Sequence, residues 1–291
     1  MDLLPRPRRA LAHVSARATG GPVDPALRVT LNFHPTFLDR LSEDGVYRSQ
    51  FVTGTSNGGL TARPGGDRWR WESRIFGGAY DDAPAHERPV YGALDHRRRP
   101  YGAAPRFGSA HLRLTSATLA RTTFCYPDSV MEPEDFGVAE RAAALVELAL
   151  ADGRDPLDDY VEAQVHGHVE IGRDVEALVL DPSFRGTAVE AAARALPCAV
   201  EWHGGFRLSV AELRRHPGFR GPEYVELGAA IAVDGWLDPR IVQEAAESGR
   251  HDRQDVKRVW HLLARFGAPE VRTDAPAPST ATPAPEARVA P

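Results

Sequence analysis

Residues able to do chemistry gather in a few short stretches, the first being residues 47–59, YRSQFVTGTSNGG. Arg48 reads as an arginine inside a strand, its guanidinium turned to one face, where it can grip a phosphate or carboxylate through two parallel N–H bonds. Thr55, Ser56 and Asn57, followed by two glycines, offer hydroxyls, an amide and close backbone approach, as a ligand loop requires. A structural ion pair followed by an ordinary turn is the plain alternative. The second stretch is residues 160–167, YVEAQVHG. Two-residue alternation places Tyr160, Glu162, Gln164 and His166 on one face and Val161, Ala163 and Val165 on the other. A carboxylate fixed on a strand beside an amide suits stabilisation of a cationic sugar carbon. A solvated strand face would read the same way.

Aromatic residues beside glycines recur in ERPVYGAL (87–94) and YGAAPRFGSAHLRL (101–114), where they can form a wall against a flat ring or simply pack on turns. Histidines recur too: His34, His166, His168 and His203. His166 and His168 with His34 and Glu201 have the chemistry of a zinc or iron site, yet no H-E-x-x-H spacing accompanies them, and no metal is expected. Neither a G-x-G-x-x-G turn nor a phosphate loop occurs. The single lysine, Lys257, falls in a C-terminal helical pattern, which disfavours lysine-based Schiff-base chemistry.

The elements that must position these residues follow from periodicity and punctuation. Strands are expected at 28–33, 45–53, 90–94, 110–114, 122–126, 159–165, 175–180, 199–203 and 206–208. Helices are expected at 10–18, 134–152, 187–196, 209–215, 224–232, 239–248 and 253–266, the last capped by Asp252 and ended by Gly267. Residues 64–105, dense in Gly, Pro, Arg and aromatics, read as a long loop region whose rings need somewhere to pack. Strands scattered among helices, without regular βαβ alternation, make this an α+β chain. The expected organisation is a lead-in over 1–25, an α+β unit over 26–208, a helical region over 209–268 packed on it, and a disordered tail over 269–291.

Composition sets outer bounds. Of 291 residues, 42% are hydrophobic, enough for a substantial core, and a net charge of −5 disfavours a general nucleic-acid binder. Cys125 and Cys198 are too few and too far apart for a disulfide framework. No 18-residue apolar run and no signal-peptide pattern is seen, so a cytoplasmic protein with no membrane partner is expected.

The motifs LNFHP, YRSQFVTGTSNGG, GGDRWRWESRIFGGAYD, RPVYGALDHRR, PRFGSAHLRL and YVEAQVHG, in that order over roughly residues 28–208, resemble an uncharacterised bacterial family known as a domain of unknown function. A looser resemblance is to the ADP-ribosyltransferase superfamily, in which an Arg or His on an early strand, a middle Ser or Tyr and a late Glu converge on NAD. That resemblance implies a split or mixed antiparallel sheet around an NAD-type cleft, with a helical C-terminal cap. It implies that Arg48 (or His34 in its place) holds the NAD phosphates or ribose, Glu162 stabilises the oxocarbenium ion, Tyr91 stacks on nicotinamide, Ser56 or Ser109 orients the glutamate, and Gln164 assists. This chain departs from the superfamily in carrying Thr55-Ser56-Asn57 for the serine motif and Glu162-Ala163-Gln164 in reversed order. The implied activity is a glycosyltransferase-class transfer of ADP-ribose from NAD, as substrate, to an unknown protein, nucleic-acid or water acceptor. Two other readings use the same residues: an interaction module presenting the Arg- and aromatic-rich loops, and a metal-dependent hydrolase built on His34, His166 and Glu162.

Overall fold

The computed structural model describes residues 3–38, 41, 45–54 and 61–270. The strands, in chain order, are β1 (Val29–Phe33), β2 (Val46–Tyr47), β3 (Val90–Leu94), β4 (Ala110–Leu114), β5 (Thr122–Tyr126), β6 (Asp135–Val138), β7 (Val161–Val165), β8 (Val169–Glu170), β9 (Val175–Leu180), β10 (Ala199–Trp202), β11 (Leu208–Ser209) and β12 (Trp236–Leu237). Eight of them form one continuous sheet in the order β10-β9-β4-β1-β3-β7-β5-β6. Every pairing in it is antiparallel except β9 with β10. The class is α+β, with a single mixed sheet.

Alternation along the central strands sorts their side chains onto two faces. Leu31, Phe33, Leu94, Leu112, Phe124, Val161, Ala163 and Val165 belong to the main apolar core, which the helix Ala143–Ala151 covers. The other face is polar. Register sets Thr30 opposite Ala93, Ala93 opposite Glu162, Tyr91 opposite Gln164 and Cys125 opposite Glu162, so these residues share that face. It is buried nonetheless, since all five residues of β7 are buried, Glu162 keeping only 6% of its surface exposed. Burying a row of polar side chains is tolerable only when each finds partners, and the cover over this face supplies them.

Part of that cover is the helix Asp67–Ile75, which sequence periodicity left inside a loop. Its buried residues are Arg68, Trp71, Glu72 and Ile75, an i, i+3, i+4, i+7 stripe. The stripe escapes a hydrophobicity reading because two of its four members are charged. Trp71, Phe76 and Tyr80, expected to need packing partners, are buried with Ala10 and Val14 of the helix Pro5–Ser15. The remaining cover is the loop 99–108, tied to β1 by Asn32, whose Nδ2 donates to the carbonyls of Tyr101 at 2.9 Å and Gly108 at 3.3 Å. Gly108 comes so close that a Cβ there would lie 2.1 Å from the Phe33 carbonyl.

Two expected elements change identity. The strand expected over 45–53 shortens to β2, paired with β8, and Gln50–Thr53 turns helical before Gly54 at φ +66°. Arg48 therefore follows a strand rather than lying in one, and its side chain is exposed. The helix expected over 134–152 is α-helical only from Ala143, after a 3-10 turn at Ala139–Arg141; Asp135–Val138 instead pairs with β5 at the sheet edge, and pairing overrides helix propensity.

The C-terminal helices Val210–Leu213, Pro222–Ile231, Pro239–Glu247 and Arg253–Phe266 form their own apolar cluster, which also takes in Tyr101 and Leu157. Asp252 caps the last helix by accepting from the backbone N–H of Gln254 at 2.7 Å. Trp260 donates to the carbonyls of Pro105 at 3.1 Å and Arg106 at 3.2 Å, joining this helix to the loop over the polar face. All but the first residues of the tail expected from 269 lie outside the described residues. Among the described residues no helix is long and apolar enough to cross a membrane.

Candidate functional site

A cleft of about 340 Å³ opens over the polar face of the sheet, within the size range of small-molecule sites. Its apolar lining comes from Phe33, Phe37, Val46, Val52, Phe107 and Val130, and its polar lining includes Arg48, Arg68, Tyr91, Asp128, Tyr160 and Glu162. Arg48, Tyr91 and Glu162, from three distant parts of the chain, thus face one cavity.

Glu162 is placed by the strand alternation of β7 and held by neutral donors. Ser129 donates to its Oε2 from both Oγ, at 2.8 Å, and the backbone N–H, at 3.3 Å, while Gln164 Nε2 donates to Oε1 at 3.0 Å. The Arg68 guanidinium stands 3.9 Å from Oε1 and donates to Ser129 Oγ at 2.6 Å, so it reaches the carboxylate mainly through the serine. Burial pushes the Glu162 carboxyl up, Arg68 pulls it down, and the nearby Asp128 pushes it up again. Cys125 Sγ lies 3.9 Å from the same carboxylate, and burial raises its thiol well above the ordinary range.

Asp128 opens the turn that delivers Ser129. Its Oδ1 accepts from the Val130 backbone N–H at 2.8 Å, an N-cap for the single turn Ser129–Met131, and its Oδ2 accepts from the Tyr160 hydroxyl in a short hydrogen bond. Tyr160 stands two residues before Glu162 and rests edge-on against Phe107 with ring centroids 5.7 Å apart. Burial raises the Tyr160 phenol well above its usual range, so it stays a donor.

The cleft's wall is a stacked pair. The Arg68 guanidinium carbon lies 4.2 Å from the centre of the Tyr91 ring. Tyr91 donates to Glu72 Oε1 at 2.9 Å, and Arg88 donates to Glu72 Oε2 at 2.6 Å and to the Tyr80 carbonyl at 2.7 Å. Arg68 Nε is buried and finds no acceptor among the described residues. Tyr91, expected to offer its ring to a ligand, gives one face to Arg68 instead.

The other expected site residues part company with the cleft. Gln164 is buried beneath Glu162, its Oε1 accepting from Thr123 Oγ1 at 2.8 Å, and it is a support rather than a lining group. Ser109 is buried away from the cleft, its carbonyl 2.9 Å from His203 Nε2, and does not orient Glu162; Ser129 does. His34 precedes the turn Pro35–Phe37 and packs edge-on against Trp260 at 6.0 Å, with burial lowering its imidazole to about 4. It does not line the cleft. Ser56 lies outside the described residues, as do Thr55 and Asn57.

The histidines do not converge either. His166 is shared between the Tyr80 hydroxyl at 2.8 Å and Thr123 Oγ1 at 3.0 Å, and burial lowers it to about 3, so it is a neutral hydrogen-bonding core residue. Among the described residues no group of three His, Cys, Asp or Glu is arranged to hold a metal ion.

Sequence reading missed Arg68, Asp128 and Ser129. For the latter two a signal existed: Pro127-Asp128-Ser129 is turn chemistry with a capping acid. For Arg68 the signal was the mixed stripe of its helix.

A search of curated proteins finds no match to this chain. Comparison with protein families matches residues 28–154 and 150–266, a span that holds the whole sheet, the cleft and the C-terminal helices. The chain belongs to the family described as Protein of unknown function (DUF3626).

Proposed function

We propose that this protein cleaves the nicotinamide–ribose bond of NAD, as an ADP-ribosyltransferase or NAD glycohydrolase. The observation that carries the reading is that Arg48, Tyr91 and Glu162 line one cleft, with a carboxylate on its sheet side and guanidiniums on its wall and rim.

Breaking an N-glycosidic bond to a pyridinium builds positive charge on the anomeric carbon while the leaving ring becomes neutral. A fixed carboxylate beside that carbon is worth more in the transition state than in the ground state. Glu162 fits the task because its hydrogen-bond donors are neutral and its guanidinium neighbour stands back at 3.9 Å, which leaves its charge only partly offset. Phosphates of the donor are assigned to Arg68, whose buried Nε–H has no acceptor among the described residues, and to exposed Arg48. Phe107 replaces Tyr91 as the surface for the flat ring, since Tyr91 is already covered.

The aromatic residues between 64 and 107 weigh against the interaction-module reading. Trp71, Phe76, Tyr80 and Tyr101 are buried, whereas interface anchors need to reach a partner.

The test is to incubate the full chain with NAD and measure free nicotinamide, beside the Glu162→Gln variant. Release by the native protein and its loss in a folded variant are expected. Equal release by the two would remove Glu162 from the chemistry, and no release from the native protein would remove the reading.

A further inference from the structure

Glu162 shares the cleft lining with a second acid, Asp128. The two are linked through one residue: Ser129 donates to Glu162 from its hydroxyl and its backbone N–H, and Asp128 opens the same turn. Tyr160 and Glu162 lie on one face of the strand segment around β7, and Tyr160 donates to Asp128. Among the described residues each Asp128 oxygen thus accepts one donor, Val130 N–H on Oδ1 and Tyr160 O–H on Oδ2, which leaves each a lone pair. Asp128 has no ion-pair partner among the described residues, and Val130 and Met131 of its turn are 44% and 46% exposed. The acid therefore begins a segment that reaches solvent.

Resting on the NAD-cleaving reading, we infer that Asp128 is the general base of the reaction and that the acceptor is an O–H nucleophile, either water or a hydroxyl group. The bond from the anomeric carbon to nitrogen breaks, its electron pair returning to the pyridinium nitrogen, which leaves as neutral nicotinamide without needing a proton. A lone pair of the acceptor oxygen forms the new bond to the anomeric carbon. The proton of that O–H passes to the Asp128 carboxylate and from there to solvent. Two carboxylates then divide the work, Glu162 facing the cationic carbon and Asp128 receiving the proton.

The experiment compares the full native chain with Asp128→Ser, which keeps a capping hydroxyl at the turn while removing the base. Nicotinamide release from NAD is read with and without sodium azide, an anion that attacks without a proton to lose. Expected are a fall of about 10²–10³-fold in water, recovery with azide together with an ADP-ribosyl azide product by mass spectrometry, and no such recovery in Glu162→Gln. Release at the native rate in Asp128→Ser overturns the inference, as does a slow variant with a native circular dichroism spectrum that azide leaves slow. If Asp128→Ser does not fold, Tyr160→Phe takes its place, keeping the carboxylate but removing its donor. Slower release in water with an unchanged azide reaction supports the inference, and equal slowing of both overturns it. A native chain that releases no nicotinamide takes down the NAD reading and this inference together, which separates that failure from a fault in Asp128's role alone.

Discussion

Glu72 and Glu162 are both buried glutamates acting on Arg68, yet their surroundings differ in kind. Glu72 is fully enclosed, with a direct guanidinium contact from Arg88 at 2.6 Å on one oxygen and the Tyr91 hydroxyl at 2.9 Å on the other. Glu162 faces a cleft, accepts from a serine, a backbone N–H and an amide, and keeps its guanidinium at 3.9 Å. A carboxylate closed into a direct ion pair away from the cleft has its charge spent on holding the wall in place. One held by neutral donors at the cavity surface keeps charge available to a ligand. On the proposed reading the same residue type serves as scaffold in one place and as chemistry in the other, and the partners decide which.

The comparison breaks most visibly at Arg88. Arg88→Met leaves the Glu72 carboxylate buried without its cation, and removing one partner of such a pair costs about 3–5 kcal/mol. Urea denaturation is expected to show that loss, and a change under about 1 kcal/mol would mean Glu72 needs no cation. Next in size, Glu162→Gln is expected to lower NAD cleavage about 10²–10³-fold, the scale of removing one preorganised electrostatic group. Its denaturation midpoint is expected to stay near the native value, because the amide keeps the shape and can still accept from Ser129. Destabilisation matching that of Arg88→Met would make Glu162 a second scaffold acid and erase the distinction.

The same two residues show what was legible in the sequence. Glu162 was readable because strand alternation is a two-residue rule: Tyr160, Glu162 and Gln164 had to share a face wherever that face pointed. Its burial was not readable, since polar alternation fits a solvated edge equally well, and only the cover from two distant segments settles the matter. Glu72 and Arg68 were hidden because their helix buries charge where helical periodicity seeks apolar residues. The α+β class and strands such as β3, β4, β5 and β9 followed from β-branched and aromatic runs bounded by turn residues. Residues 135–138 did not, because a helix-forming neighbourhood conceals a strand whose existence depends on an edge partner 12 or so residues away. Ser109 was chosen for its place in a motif; Ser129, which meets Glu162, arrives through a capped turn that motif order does not reveal.

The pH dependence of stability sharpens the comparison at smaller scale. Burial raises the Glu72 carboxyl from 4.5 to about 7 in spite of Arg88. The folded state then binds more protons at Glu72 than the unfolded chain does between those values, so its contribution to stability is complete below about 4.5 and is lost as pH rises towards 7. At roughly 1.4 kcal/mol for each pH unit, the decline sums to about 3–4 kcal/mol. Glu162, raised in the same direction, adds to the same slope. Denaturation of Glu72→Gln across this range is expected to show a shallower decline than the native protein. An unchanged slope would assign the pH dependence elsewhere.

The smallest effect is expected at Arg48, the exposed member of the cleft lining. Its side chain is exposed, and surface changes of this sort stay within about 0.5 kcal/mol of native stability. On the NAD-cleaving proposal, its contribution is to attraction of the donor's phosphates, which are equally charged in ground and transition states. Such uniform binding appears in KM and leaves kcat unchanged. Arg48→Ala is therefore expected to raise KM for NAD by about tenfold, equivalent to about 1.4 kcal/mol, with the effect shrinking as salt screens the charge. A fall in kcat with KM unaltered would move Arg48 from the rim of the cleft to the bond being broken, and Glu162 would no longer be the cleft's principal electrostatic group.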